Sequence, residues 1–138
     1  PVQLAREYIL VQYREGKNTF AAIRHFLDDD VVFHLPGDPS VIPFVGVHPG
    51  IDAVERVFDV FWSVLEPPPN HDPLLWYRFV GNGNEVIVWG QSWLHPIGQP
   101  LDKPMDLVQR MKFRRGKMIS LEVRFDTKYG EDLFSETS

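Results

Sequence analysis

Residues 2–15 place Ala5, Tyr8, Ile9, Gln12 and Tyr13 on one helical stripe, and Gly16 ends it. Asn18 or Thr19 caps a second helix whose stripe is Phe20, Ile23, Phe26 and Leu27. Asp28-Asp29-Asp30 closes that helix. Carboxylates are unfavourable at a helix C-terminus, so this run reads as a solvated loop rather than a metal site. Val31-Val32-Phe33-His34-Leu35 is β-branched and aromatic, reads as a strand buried on both faces, and stops at Pro36-Gly37. A short strand follows around Phe44–Val47. His48-Pro49-Gly50 then opens a third helix with Ile51, Val54, Phe58, Phe61 and Leu65 on one apolar face. Pro67-Pro68-Pro69 ends it.

The second half changes period. Residues 73–80, 85–95, 103–114 and 117–126 read as four strands. Gly81-Asn82-Gly83-Asn84 and Arg115-Gly116 supply hairpin turns. Residues 127–138 form a short tail with Tyr129, Leu133 and Phe134 available to dock. Helices first and an antiparallel meander afterwards make an α+β chain, read as one domain over residues 1–138. Strands of that length must twist, and three helices can cover only one face of the sheet.

Composition narrows the partners. Fourteen Lys and Arg against nineteen Asp and Glu give a net charge of −5, opposite in sign to a phosphate-binding surface. The one basic cluster, Lys112, Arg114, Arg115 and Lys117, surrounds a turn, so no nucleic acid is expected. The chain has no cysteine, which excludes disulfides, thiolate metal sites and cysteine nucleophiles. No stretch reaches the roughly 20 apolar residues of a membrane span, and no charged-then-apolar leader is expected. A cytoplasmic protein with no membrane partner is expected. No two histidines have the i, i+4 spacing of a helical metal site, so no metal and no cofactor are expected. Aromatic residues reach 13%, which points to a thick core or an aromatic-lined cavity.

Three passages carry a family resemblance. They are Phe26-Leu27-Asp28-Asp29-Asp30-Val31-Val32-Phe33-His34-Leu35-Pro36-Gly37, then Phe44-Val45-Gly46-Val47-His48-Pro49-Gly50-Ile51-Asp52-Ala53-Val54, and the closing hairpin Phe113–Ile119 with Arg124-Phe125-Asp126. In order and spacing, over about residues 5–130, the chain resembles the nuclear transport factor 2-like superfamily in its SnoaL-like and ketosteroid-isomerase-like branch. The resemblance implies a cone: a curved, antiparallel-rich sheet wrapped around the three helices, a cavity at the open end, and a homodimer through the outer sheet face. It does not fix a function, because such folds carry isomerases, cyclases, dehydratases, epoxide hydrolases and simple binders.

By the resemblance, His34 occupies the position of the isomerases' carboxylate base, and an imidazole can serve as a base there. The alternative is a buried neutral histidine that fixes the Pro36-Gly37 turn. Gln109 falls where the isomerases place an oxyanion donor, and an amide can also donate. It shares a strand face with Met105, Leu107, Met111 and Phe113. Its alternative is an amide satisfied by backbone or water. Ile9 stands where the isomerases carry a tyrosine, and Tyr13 lies one turn away on the same stripe. Val123 stands where the epoxide hydrolases carry an acid, so epoxide hydrolysis is not expected.

Phe58, Trp62, Leu107, Met111, Val123 and Phe125 are the expected apolar lining around these three. Trp89, Gln91, Trp93 and His95 share one strand face, opposite Val86, Val88, Gly90, Ser92 and Leu94. The pattern leaves open which face is the cavity and which the dimer seam. The expected function is binding of a small, mostly apolar, carbonyl-bearing ligand, with His34 moving a proton and Gln109 and Tyr13 holding the developing oxyanion. The alternative is a ligand-binding or protein-interaction module without chemistry.

Overall fold

Helix α1 covers Val2–Glu15 and buries Ala5, Tyr8, Ile9 and Tyr13, the expected stripe. The computed structural model describes residues 1–99 and 103–135. Gly16 takes a positive φ of 55° at the end of α1, a conformation open to glycine. Helix α2, Thr19–Ile23, is short and continues as a 3₁₀ turn, Arg24–Phe26. The buried Thr19 hydroxyl donates to the Gln12 carbonyl at 2.9 Å and so ties α2 to the end of α1.

Strand β1 spans Leu27–Leu35 and therefore includes the acidic run. The loop expected at Asp28–Asp30 is corrected to a strand with an irregular register between Leu27 and Val32. Asp28 lies within 3.6 Å of Arg114 and accepts the Asp30 backbone N–H at 2.9 Å, which supports carboxylates there. Strand β2 is Gly46–Pro49 and helix α3 is Ile51–Val64. Helix α3 buries Val54, Val57, Phe58 and Trp62, each worth about 1.5–3 kcal/mol on leaving water.

A two-residue strand β3, Leu65–Glu66, precedes the proline run. The strand expected over 73–80 is split. Pro73–Trp76 is a helical turn, α4, with Asp72 capping the Leu74 N–H, and β4 is Tyr77–Asn82. Asp72 before Pro73 is the signal for that turn. Strand β5 is Glu85–Ser92, β6 is His95–Pro96, β7 is Met105–Arg114 and β8 is Lys117–Phe125. The face expected to run from Trp89 to His95 breaks after Ser92, and Leu94 and His95 are both buried. The expected tail is a helix in its described part: α5, Thr127–Ser135.

The main sheet has the order β2-β1-β8-β7-β5-β4. Every pair is antiparallel except β1 with β8, which is parallel. Strands β3 and β6 form a separate two-stranded ribbon. The register fixes what each face carries. Phe33, Leu121, Met111 and Val86 form one cross-strand row, and all are buried beneath the helices. Val88, Gln109 and Val123 form the next row, and Gly90, Leu107 and Phe125 the row after it. The outer face carries the intervening residues, with His34 beside Glu122 and Glu122 beside Arg110. The fold is thus an α+β layer pair, an open curved mixed sheet with helices on its concave side. Among the described residues no helix is long and apolar enough to cross a membrane.

Candidate functional site

Between the helices and the inner rows lies a cavity of about 110 Å³. That is below the roughly 150 Å³ of an apolar cavity that takes up benzene. Its walls are Phe33 and Leu35 from β1, Phe58 and Phe61 from α3, and Leu107, Gln109, Leu121, Val123 and Phe125 from β7 and β8. Helix α5 adds Gly130, Leu133 and Phe134. The walls are mostly aromatic and aliphatic, and no carboxylate, imidazole, amine or guanidinium lines the cavity among the described residues.

Its polar groups come from α1 and the sheet: Tyr8, Gln12, Tyr13, Ser92 and Gln109. The Tyr13 and Tyr77 hydroxyls lie 3.0 Å apart and are buried. The Ser92 hydroxyl lies near both phenols, and it accepts the Leu94 N–H at 3.3 Å. Burial raises the pKa of Tyr13, and the adjacent Tyr77 raises it further. Burial also raises Tyr8 and Tyr77. All three phenols therefore stay protonated near neutral pH and remain able to donate. Tyr13 is held in place by rings: Trp62 packs edge-on at 5.6 Å and Trp76 at 5.5 Å.

The expected site residues divide. Gln109, Tyr13, Phe58, Leu107, Val123 and Phe125 meet around the one cavity. His34 does not. Phe33 and Leu35 line the cavity, and strand alternation turns His34 to the outer face, between Val47 and Glu122. The expected base position is corrected on that ground. Met111 is fully buried in the core rather than on the lining. Trp62 is also core: it is 3% exposed, stands behind Tyr13, and its indole N–H finds no partner among the described residues. Trp89 faces outward, 38% exposed, which settles the orientation of β5.

Tyr77 and Ser92 were not among the expected site residues. The signal for Ser92 was present, because it alternates with Val88 and Gly90 on the inner face of β5. Tyr77 becomes visible only with the register that pairs it with Gly90.

No family model matches the chain, and no curated protein matches it. Solved structures do. A nuclear transport factor 2-like protein from Burkholderia xenovorans LB400 is 20% identical, with a TM-score of 0.72, covering 98% of this chain and 92% of its own. A provisionally assigned isomerase from Rhodopseudomonas palustris is 16% identical, with a TM-score of 0.76 over 97% of this chain and 95% of its own. TerC, co-crystallised with polyporic acid, is 20% identical, with a TM-score of 0.70 over 96% and 98%. At such identities the likeness concerns the fold, and it places the chain among nuclear transport factor 2-like folds.

Proposed function

We propose that this chain, a nuclear transport factor 2-like fold around an uncharged cavity, binds a small, mostly apolar molecule bearing a carbonyl group, and that His34 takes no part in that binding. The observation that carries the reading is the buried Tyr13 hydroxyl, paired with Tyr77, on the wall of a chamber without a charged lining residue among the described ones. A protonated phenol offers a ligand oxygen a donor, and a low local dielectric strengthens the bond. The apolar walls gain from covering hydrocarbon, and a charged ligand would lose its hydration without a counter-charge. TerC supports the reading as a protein of the same fold crystallised with a small molecule. Cofactor-independent proton transfer is the weaker reading, because His34 lies on the other side of the sheet.

The test is a titration of acetophenone against three proteins, followed by fluorine-free proton NMR or calorimetry. Tyr13→Phe is expected to weaken binding about tenfold, the equivalent of one good hydrogen bond at about 1.4 kcal/mol. His34→Gln is expected to leave the affinity within about twofold of the native value, because His34 does not line the cavity. The reverse pattern, with His34→Gln damaging and Tyr13→Phe silent, would sink the assignment.

The proposal includes the quaternary state. Trp89 and Val108 are paired neighbours on the outer face and are both exposed, at 38% and 41%. A second copy packed there would cover them, as aromatic and apolar residues are covered at subunit seams. Val108→Asp is expected to halve the sedimenting mass while leaving the unfolding curve of the monomer in place. A native protein that already sediments as a monomer contradicts this part.

A further inference from the structure

The polar groups on the cavity wall fall into two sets. Tyr13 is partnered, with its hydroxyl 3.0 Å from that of Tyr77. Ser92 is partnered as well, since its hydroxyl accepts the Leu94 N–H. Tyr8, Gln12 and Gln109 line the same cavity, and among the described residues their side chains meet no hydrogen-bond partner. Tyr8 is the sharpest case. It is 2% exposed, so bulk water does not pair its phenol either. Burying a polar group without a partner is unfavourable, and buried polar groups are normally paired. An unpaired phenol on a cavity wall therefore has its partner in whatever fills the cavity.

The chemistry of the unpaired groups defines that partner. Tyr8 and Gln12 stand one turn apart on α1 and both reach the cavity, so they are neighbours on one face of the helix. The phenol donates, and the amide both donates and accepts. A hydroxyl group complements this pair: its oxygen accepts from Tyr8, and its proton goes to the amide carbonyl of Gln12. A carbonyl or ether oxygen would leave the amide carbonyl unpaired, and a hydrocarbon would leave both side chains unpaired.

We infer that the ligand carries a hydroxyl group as well as its carbonyl, and that Tyr8 and Gln12 select for that hydroxyl. The inference rests on the reading that Tyr13 holds a ligand carbonyl in this cavity. A site built to bond a hydroxyl rejects the analogue that lacks one, because its own polar groups are then left unpaired.

The test compares acetophenone with 3′- and 4′-hydroxyacetophenone by calorimetry. The native protein is expected to bind the better of the two hydroxylated compounds about tenfold more tightly than acetophenone. In Tyr8→Phe that preference is expected to fall below about twofold. The urea midpoint of Tyr8→Phe is expected at or above the native one, since the change removes a buried hydroxyl that bonds to nothing in the protein. A hydroxyl with a structural role would lower it. Gln12 is half-buried, and Gln12→Leu is expected to lose the preference too, so it decides the matter alone if Tyr8→Phe fails to fold. A native protein that binds acetophenone and the hydroxylated compounds equally well overturns the inference. So does a preference that survives Tyr8→Phe but is lost in Gln109→Leu, which would place the hydroxyl on the sheet side. Absence of binding by all three compounds would instead overturn the ligand-binding reading.

Discussion

Gly90→Ala is expected to lose about 3 kcal/mol of stability or more, a large fraction of what a domain of this size has. A β carbon at residue 90 would lie 2.0 Å from the Trp76 carbonyl oxygen and 3.0 Å from Tyr77 Cα. Both obstacles are backbone, so no side-chain rotation relieves them. The place is where α4 passes into β4, and Tyr77 pairs directly with Gly90. Any shift that admits the methyl group therefore moves Tyr77, one half of the hydroxyl pair. Acetophenone affinity should fall along with the urea midpoint. Gly130→Ala is the useful contrast: its new carbon would meet the edge of the Phe125 ring at 2.7 Å. A ring can tilt, so about 1 kcal/mol is expected there. Equal midpoints for Gly90→Ala and the native protein in urea would show that the strands are not packed this closely.

How much of this was legible in the sequence depends on the signal each element carries. Strand β7 alternates apolar with polar residues, so the inward set Met105, Leu107, Gln109, Met111 and Phe113 follows from the pattern alone. Strand β1 has no such alternation. Val31 to Leu35 contains one polar residue, and either phase buries apolar groups. The phase is set by long-range pairing: Phe33 falls beside Leu121 in the buried row, and that sends His34 out. A slip of one residue exchanges the faces, so the resemblance put a base where the register does not. The acidic run misled for a related reason. Three carboxylates disfavour a strand on propensity, yet Arg114 and a local backbone bond support them at the sheet's irregular end.

Other elements left signals of unequal strength. Asp126 accepts the Tyr129 N–H at 3.1 Å, and Leu133 follows Tyr129 by four, so the start and the face of α5 were both readable. The short strands β3 and β6 carry no periodicity at all. The Tyr13–Tyr77 pair joins residues 64 apart in sequence, and local pattern has no access to such a meeting. Tyr13 was legible as a donor because it lies on the stripe of α1. Its partner was legible only from the fold.

Gln109→Glu tests the neutrality on which the functional reading depends. The exchange keeps size and shape and adds one titratable group. In the unfolded chain a glutamate titrates near 4.3. In the folded protein it would stand in an apolar row between Val88 and Val123, where removal from water disfavours the charged form and raises its pKa. The folded state then keeps a proton over a range where the unfolded chain has released it, so stability falls as pH rises. Near pH 4 the variant should match Gln109→Leu in urea. By pH 7 it should be about 2.7 kcal/mol weaker, the equivalent of a shift of about two units. A difference between the variants that does not change with pH would mean that the residue reaches bulk water and that the cavity accommodates a charge. A positive result reaches further. The ionised glutamate would place a proton acceptor among the lining residues, beside protonated phenols that can hold an enolate oxygen. Deuterium exchange at the methyl group of bound acetophenone should then rise with pH in Gln109→Glu and stay at the solvent rate in the native protein. Exchange above the solvent rate in the native protein would restore proton transfer as its function, through a base other than His34.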